Sequence, residues 1–281
     1  MQKRVLAIHD ISCFGRCSLT VALPVISAAG VECTALPTAV LSTHTGGISG
    51  YTYRDLTEDI QPIADHWKSI DLRFDAIYTG YLGSFRQLEL VEGIFDAFKP
   101  REGLIVVDPV MADNGSLYAG FSEDFPRGMA KLCAKADLIL PNVTEAALML
   151  GAEYRQGPYE RDYVEDLLRK LSGLGPKKVL LTGISFDESH LGAACSDGDT
   201  DTVSYCFDRK IEGSYHGTGD VFASAVTAAC VQGLPLDRAM EIAVRFTVDS
   251  IDRSAKAGTD RRYGVNFEEG LYDLRAAIRG R

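Results

Sequence analysis

Short apolar runs alternate along the chain with segments in which apolar residues recur every three or four positions. The runs predict buried strands over residues 4–9, 31–36, 76–81, 104–110, 137–142 and 178–183. The helical spacing predicts helices over 18–29, 56–69, 88–98, 143–150, 159–171, 236–250 and 267–278. This alternation indicates an α/β fold in which a mostly parallel central sheet carries helices on both faces.

Three features interrupt this alternation. Residues 191–195 and 202–207 flank a polar turn and predict a β-hairpin. Residues 37–53 combine β-branched residues with a glycine-rich stretch, which predicts an extended flap rather than core. We expect a turn over 11–16, and a kink or break at Pro24 and Pro62, because proline removes a helical hydrogen bond.

Composition narrows the class of protein. The 281 residues are 46% hydrophobic and no Pro/Gly/Ser-rich linker divides them, so residues 1–281 are predicted to form one domain. The formal charge of −10, with no basic stripe, disfavours a nucleic-acid partner. No apolar stretch reaches the roughly 18 residues that a membrane span requires. Seven scattered cysteines are typical of a reducing cytoplasm, which is the expected location.

The candidate chemistry centres on Gly217-Thr218-Gly219-Asp220, directly before a helix predicted to run to about Gln232. Glycines let the backbone turn its amides inward, and a helix N-terminus directs unpaired N–H groups and a positive dipole at an anion. A carboxylate would repel a bound phosphate, so Asp220 is either a base for an attacking hydroxyl or a helix N-cap. The residue types alone leave both interpretations open.

Polar residues follow five of the predicted strands and would meet at one edge of the sheet, where α/β folds bind ligands. They are His9-Asp10, Thr79-Gly80-Tyr81, Asp108-Pro109, Pro141-Asn142 and Thr182-Gly183. The chain has no P-loop, no dinucleotide-binding glycine pattern, no protein-kinase motif set and no nucleophile elbow. The sequence therefore predicts a phosphate-handling site at this edge that uses none of those motifs.

Six motifs, in order along nearly the whole chain, resemble those of the ribokinase-like superfamily and, within it, the vitamin B6 (pyridoxal/pyridoxamine) kinases. They are Ser42-Thr43-His44-Thr45-Gly46, Thr79-Gly80-Tyr81, Asp108-Pro109-Val110, Asn142-Val143-Thr144-Glu145, Arg209-Lys210-Ile211 and Gly217-Thr218-Gly219-Asp220. The resemblance implies a three-layer ribokinase-like fold with a small flap over the substrate site. It also implies ATP-dependent phosphorylation of the 5′-hydroxymethyl group of a B6 vitamer.

The resemblance assigns roles around the reacting phosphate. The amides of Gly217, Thr218 and Gly219 would form the anion hole, and Asp220 would accept the proton of the substrate hydroxyl. Mg²⁺ would be held by Asp108 and Glu145, largely through water. Whether a monovalent cation is also needed is left open.

The same resemblance assigns the two binding sides. Thr45 and Tyr81 would face the pyridine ring, and His44 would belong to the flap that closes over it. The nucleotide would contact Asn142, Thr182, Ile211, Tyr215 and His216. A homodimer is implied by the family alone.

One residue departs from the pattern of the pyridoxal kinases, which place a serine where this chain has Asp10. A carboxylate pairs well with an ammonium group, so we hypothesise that Asp10 favours pyridoxamine or a related aminomethyl pyridine or pyrimidine. The alternatives are a hydroxymethylpyrimidine kinase, which often carries Cys at the position of Asp220, a sugar or nucleoside kinase, and a non-catalytic B6- or nucleotide-binding regulator. The roles of Cys13 and Cys17 are left open.

Overall fold

The computed structural model describes residues 2–99 and 103–280, so residues 1, 100–102 and 281 of the predicted domain lie outside the described residues. The large sheet in this part of the chain contains β1 (Arg4–Ser12), β2 (Glu32–Leu41), β3 (Tyr53–Asp55), β4 (Ala76–Thr79), β5 (Leu104–Val107), β8 (Leu138–Ile139), β9 (Lys178–Ile184), β10 (His190–Asp197) and β11 (Thr202–Arg209). A separate hairpin pairs β6 (Ala112–Asp113) with β7 (Ser116–Leu117).

The helices cover both faces of that sheet. They are α1 (Leu19–Ala28), α2 (Thr57–Ser69), α3 (Phe85–Phe98), α4 (Phe125–Cys133), α5 (Val143–Leu150), α6 (Arg161–Ser172), α7 (Thr218–Val231), α8 (Leu236–Ala257) and α9 (Leu271–Arg279). Two short 3₁₀ turns, Arg261–Tyr263 and Glu268–Gly270, precede α9.

The sheet order is β11-β10-β9-β8-β5-β4-β1-β2-β3. The six strands from β9 to β2 pair in parallel, and antiparallel strands lie at both edges. The predicted α/β class with a mostly parallel sheet is confirmed, and the predicted hairpin forms β10 and β11. Because β4 and β2 lie on opposite sides of β1, the chain reverses direction across the sheet there, and a crevice opens at the carboxyl end of β1.

Alternation along β1 builds two cores. Val5 and Ala7 pack into a cluster with apolar residues of α1, α7, α8 and α9, whereas Leu6 and Ile8 pack into a second cluster with residues of α2 to α6. All four side chains are fully buried. A strand covered on both faces is apolar at successive positions, and for this reason the run from Val5 to Ile8 predicts a buried strand.

The flap in the structure is shorter than the predicted range, residues 37–53. Strand β2 continues to Leu41, and β3 begins at Tyr53, so residues 42–52 form the connecting loop. The strand continues through Pro37 because the β1–β2 register shifts between His9 and Ile11, next to the proline, and such an irregularity tolerates a residue without an N–H. Ile11 and Ser12 likewise belong to β1 rather than to a turn.

Other differences concern helices. Helix α2 runs through Pro62 without ending there, and α8 extends to Ala257. Helix α4 was not predicted, although Phe125, Met129 and Leu132 carry a helical apolar spacing and are buried. Within residues 2–99 and 103–280, every helix is too short or too polar to cross a lipid bilayer.

Candidate active site

The N-terminus of α7 lies against the loop between β1 and α1. Gly217 caps α7 with φ 73°, a left-handed conformation that glycine adopts without strain. A Cβ built on Gly217 would lie 1.8 Å from the carbonyl oxygen of Arg16, so no side chain fits at this position. A Cβ on Gly219 would meet nothing within 4 Å. The first turn of α7 therefore packs tightly on one side and faces open space on the other.

Asp220 is the third residue of α7 and its side chain is half-buried. Burial raises the pKa of its carboxyl to about 7, opposed by the backbone N–H of Ser18 and reinforced by the negative charge of Asp10. A carboxyl with a pKa near neutrality can exchange a proton at physiological pH. The first-turn amides of α7 and this carboxyl together supply an anion site beside a proton acceptor.

Asp10 ends the buried part of β1 and is 5% exposed. Its Oδ1 accepts a 2.6 Å hydrogen bond from the Ser18 hydroxyl, and its Oδ2 accepts a 3.1 Å bond from the Ser12 hydroxyl. Burial raises the pKa of Asp10, and both hydroxyls oppose that shift. The carboxylate is thus held in a fixed orientation by neutral donors.

Two further acids are buried, and the charge of Asp220 acts on one of them, Asp108. Asp108 follows β5 and is 7% exposed, and Glu145 is 3% exposed on α5. Burial, then the charges of Glu145 and Asp220, raise the pKa of Asp108 well above its usual range. Burial raises the pKa of Glu145 to about 8, although backbone amides of Asn142, Met111 and Ala112 oppose the shift. The structure therefore brings three of the predicted residues into one acidic cluster.

A capping box fixes Asn142 and Glu145 at the start of α5. The Asn142 Oδ1 accepts from the Glu145 N–H at 2.9 Å, and the Glu145 Oε2 accepts from the Asn142 N–H at 2.9 Å. The other oxygen of Glu145 accepts from the Met111 N–H at 3.1 Å, and the Asn142 amide donates to the Ala112 carbonyl at 2.8 Å. Glu145 is therefore oriented by the backbone beside Asp108, and its capping role and its place in the acidic cluster coexist.

Sequence reasoning missed two residues of this cluster. Asp113 lies on the β6–β7 hairpin and contributes to the raised pKa of Glu145. Burial and the charges of four acids, Glu145, Asp113, Asp108 and Asp220, raise the pKa of the Tyr118 phenol. The turn Asp113-Asn114-Gly115 is a hairpin signal that could have located them.

The acidic cluster suits a Mg²⁺ ion held by one or two carboxylates. It does not form a complete set of protein ligands around a metal. None of the ion pairs among the described residues involves Asp10, Asp108, Glu145 or Asp220. Across residues 2–99 and 103–280, no group of three His, Cys, Asp or Glu side chains is arranged to hold a metal. Mg²⁺ characteristically takes one or two carboxylates and keeps waters and phosphate oxygens as its other ligands. Asp108 and Glu145 match that mode.

The predicted nucleotide residues lie along the carboxyl end of β9 and before α7. Thr182 forms a parallel bridge with Asn142, and Gly183 beside it lines a polar cavity of about 160 Å³ together with Asn114, Ser185 and Lys210. Ile211 follows Lys210 in the chain, and the Arg261 guanidinium lies 5.0 Å from the centre of the Tyr215 ring. Of the predicted set, Asn142 and Thr182 are thus joined directly.

Of the two predicted flap residues, His44 is buried and Thr45 is exposed. His44 is 7% exposed and its Nδ1 accepts from the Gly46 N–H at 3.1 Å, while its Nε2 bonds the Arg262 carbonyl. Its ring lies 5.1 Å from the ring of His216, which directly precedes the anion-binding turn. Thr45 is exposed on the same loop. His44 therefore fastens the flap to the anion-binding region, and its charge also acts on Asp10.

Tyr81 forms one wall near Asp10, and a second tyrosine accompanies it. A Cβ built on Gly83 would lie 3.5 Å from the hydroxyls of both Tyr53 and Tyr81, so the two phenols approach each other over that glycine. Burial raises the pKa of Tyr81 to about 12, with Tyr53 and Asp10 contributing. Tyr53 lies on β3, a three-residue strand that the sequence did not reveal.

Comparison with known proteins identifies the family. The sequence model of the family described as phosphomethylpyrimidine kinase matches residues 21–265. The chain belongs to the phosphomethylpyrimidine kinase family.

Solved structures similar to this family member carry the names of both phosphomethylpyrimidine kinase and pyridoxal kinase. A Bacteroides thetaiotaomicron protein provisionally described as a phosphomethylpyrimidine kinase, crystallised with pyridoxal, is 36% identical over 98% of this chain and 96% of its own, with a TM-score of 0.93. Pyridoxal kinase from Lactobacillus plantarum is 33% identical, covers 98% of both chains and has a TM-score of 0.90. The ribokinase-like fold expected from the sequence is confirmed by these neighbours.

Among curated sequences, the Arabidopsis thaliana thiamine biosynthetic bifunctional enzyme TH1, chloroplastic, is 29% identical over 83% of this chain. The chain spans 43% of the length of that relative. The family description is that of a kinase. The family leaves open whether the ring is a pyridine or a pyrimidine.

The two glycines of the anion-binding turn predict contrasting variants. Gly217→Ala should lower the free energy of unfolding by about 2 kcal/mol or more, because φ is positive and the methyl group meets the Arg16 carbonyl. Gly219→Ala should change it by less than about 1 kcal/mol but reduce kinase activity, because its methyl group would project into the open space before the amides. Chemical denaturation and steady-state kinetics measure both. Wild-type activity in Gly219→Ala would contradict this use of the space.

The acidic cluster predicts a pH-dependent stability in the metal-free protein. Glu145 and Asp220 have raised pKa values, about 8 and about 7, so the folded state binds their protons more tightly than the unfolded chain. The free energy of unfolding should therefore fall between pH 5 and 8, by at most about 1.4 kcal/mol per pH unit for each titrating carboxyl. Mg²⁺ should raise the melting temperature more at pH 8 than at pH 6.

Thermal unfolding of chelator-treated protein, with and without MgCl₂, tests this expectation. Glu145→Gln should flatten the pH slope and reduce the Mg²⁺ effect. Asp96→Asn, which alters an exposed carboxylate on α3, is the matched control and should leave both unchanged. A melting temperature that rises from pH 6 to 8 without Mg²⁺ would be incompatible with the raised pKa values.

Proposed function

We propose that this kinase transfers the γ-phosphoryl group of ATP to the 5′-hydroxymethyl group of a B6 vitamer and so forms the 5′-phosphate. The observation that carries the proposal is the meeting of two differently held carboxylates, Asp10 and Asp220, at one end of the sheet beside the anion-binding turn. Ser18 bonds Asp10 through its hydroxyl, and its backbone N–H lowers the pKa of Asp220. The proposal also draws support from the related Bacteroides protein, whose structure was solved with pyridoxal.

The proposed chemistry follows from the surroundings of Asp220. The substrate hydroxyl oxygen attacks the γ-phosphorus, its proton passes to the Asp220 carboxylate, and the bond to the ADP leaving oxygen breaks. The amides of Gly217, Thr218 and Gly219 stabilise the charge on the transferring phosphoryl oxygens. Bound Mg²⁺, held by Asp108 and Glu145, would neutralise charge on the ATP phosphates. Asn142 would lie beside those phosphates, and Thr182 would line the adenine side.

Closure of the flap would exclude water from the transfer site. His44 contacts the C-terminal segment and His216, so the 42–52 loop is already tied to the residues that precede the anion hole. With water excluded, ATP hydrolysis in the absence of vitamer is disfavoured. Thr45, at the exposed tip of the loop, and Tyr81 would face the ring, while Ile211 and Tyr215 would lie on the nucleotide side.

The vitamer preference rests on Asp10. This carboxylate is buried, its two oxygens are held by hydroxyls, and it joins none of the ion pairs among residues 2–99 and 103–280, although the charge of His44 lowers its pKa. A buried carboxylate is stabilised by an ammonium group that enters with the ligand. We therefore propose pyridoxamine as the preferred vitamer.

A second candidate is hydroxymethylpyrimidine, whose hydroxymethyl group would meet Asp220 in the same way. The family description and the thiamine-pathway relative favour it. The presence of Asp220 at a position where hydroxymethylpyrimidine kinases often carry Cys favours the vitamer. ADP release from Mg-ATP, measured with pyridoxal, pyridoxamine, pyridoxine and hydroxymethylpyrimidine side by side, decides between them. Turnover of none of the four would favour a non-catalytic regulator.

Removing the proposed base should slow the phosphoryl-transfer step and leave nucleotide binding almost unchanged. Asp220→Asn should reduce kcat by about 10²- to 10⁴-fold, because the amide cannot accept the hydroxyl proton. The Kd for Mg-ATP should change little, since the amides of the anion hole stay in place. Single-turnover phosphorylation and equilibrium nucleotide binding measure the two effects. Turnover close to wild type would refute the role of Asp220 as base.

Replacing Asp10 predicts a change in substrate preference. Asp10→Ser should lower kcat/KM for pyridoxamine by about 10- to 100-fold more than for pyridoxal, because a charge-assisted hydrogen bond contributes about 1.5–3 kcal/mol. Steady-state kinetics on both vitamers measure the ratio. Equal losses for the two vitamers would exclude an ammonium-binding role for Asp10.

A further inference from the structure

Ser18 occupies the N-cap position of α1 but does not cap the helix. Serine is among the best N-cap residues because its hydroxyl accepts from a first-turn N–H. Here the side chain makes no capping hydrogen bond, and φ and ψ are 55° and −131°. A non-glycine residue with positive φ is strained and persists only where other contacts enforce it. Ser18 therefore does not stabilise the start of α1 by capping it, and its backbone is strained.

The contacts of Ser18 account for this conformation. Its hydroxyl donates to Asp10 Oδ1 at 2.6 Å, the shorter of the two hydrogen bonds that this carboxylate accepts from serines. Its backbone N–H lowers the pKa of the Asp220 carboxyl and so favours the charged form. Ser18 is 7% exposed, so water competes little with its hydrogen bond to Asp10. Ser18 thus holds Asp10 through its side chain and stabilises the charged form of Asp220 through its backbone.

We propose that Ser18 is a positioning residue that fixes the substrate-recognition carboxylate of Asp10 relative to the catalytic base Asp220. The proposal rests on the proposed function and assigns separate roles to the hydroxyl and the backbone N–H of Ser18. The hydroxyl orients Asp10 for the substituent on the substrate ring, and the strained backbone presents its N–H to Asp220. Loss of the hydroxyl also removes the anchor that maintains the strain.

Two substitutions separate these contributions. Glycine accepts φ 55° without cost, so Ser18→Gly should keep the N–H in place while losing the hydroxyl. We expect kcat within about twofold of wild type, a KM for the vitamer raised about tenfold, and a melting temperature that does not fall. Alanine has neither the hydroxyl nor tolerance for positive φ, so Ser18→Ala should relax the backbone. We expect the same rise in KM together with a kcat lowered about tenfold or more.

Ser12→Ala is the matched control. Its hydroxyl also donates to Asp10, at 3.1 Å, but it lies within β1 and makes no contact with Asp220 among its hydrogen bonds. It should raise KM and leave kcat unchanged. Steady-state kinetics at saturating Mg-ATP, with thermal unfolding on the same samples, provide all readouts.

The outcomes distinguish failure of the role proposed for Ser18 from failure of the proposed kinase function. If Ser18→Ala keeps the wild-type kcat, or if Ser18→Gly loses as much kcat as Ser18→Ala, Ser18 does not position the base. If KM is unaffected in both variants, Ser18 does not orient Asp10. If the wild-type protein phosphorylates none of the hydroxymethyl substrates, the proposed function fails instead, and with it the substrate role on which this inference rests.

Discussion

The close approach of the β1–α1 loop to the N-terminus of α7 is the contact on which the site depends. Gly217 leaves room for the Arg16 carbonyl, and a Cβ there would overlap that oxygen. Because the two segments meet without an intervening side chain, Ser18 can bond Asp10 at the end of β1 and also favour the charged form of Asp220 in the first turn of α7. Residues far apart in sequence thus act on each other at one site.

An excess of negative charge organises the rest of the site. Asp10, Asp108, Glu145 and Asp220 all have raised pKa values, with burial as the largest cause in each case. Buried carboxylates without cationic partners destabilise a protein alone and favour ligands that bring positive charge. A divalent ion near Asp108 and Glu145, and an ammonium group near Asp10, would each meet that requirement. The acidity that opposes phosphate binding overall is therefore compatible with a Mg-nucleotide.

Substrate choice rests on a small part of the molecule. Both core layers and the sheet order serve a pyridine or a pyrimidine kinase equally well, because they only bring the strand ends and the α7 turn together. The proposed ring environment comes instead from Asp10, Tyr81 and Tyr53, which lie on a strand end, a loop and a short edge strand. A few side chains on such segments can change between relatives while the fold is retained.

Sequence alone determined the parts that follow from local physics. Continuous apolar runs predicted the buried strands, and the glycines before Asp220 predicted an anion-binding helix start, because both signals are contained in a few consecutive residues. The family resemblance supplied the roles of Asn142 and Glu145, and the capping box that joins them is itself a local motif.

Tertiary structure alone decided the contacts between distant segments. The diversion of Ser18 from capping to Asp10 and the pairing of Tyr53 with Tyr81 have no local sequence signal. The Asp113-Asn114-Gly115 turn signals a hairpin, but only the fold places Asp113 and Tyr118 beside the acids. The raised pKa values of Asp220 and Glu145 also belong here, because burial and neighbouring charge exist only once the chain is folded.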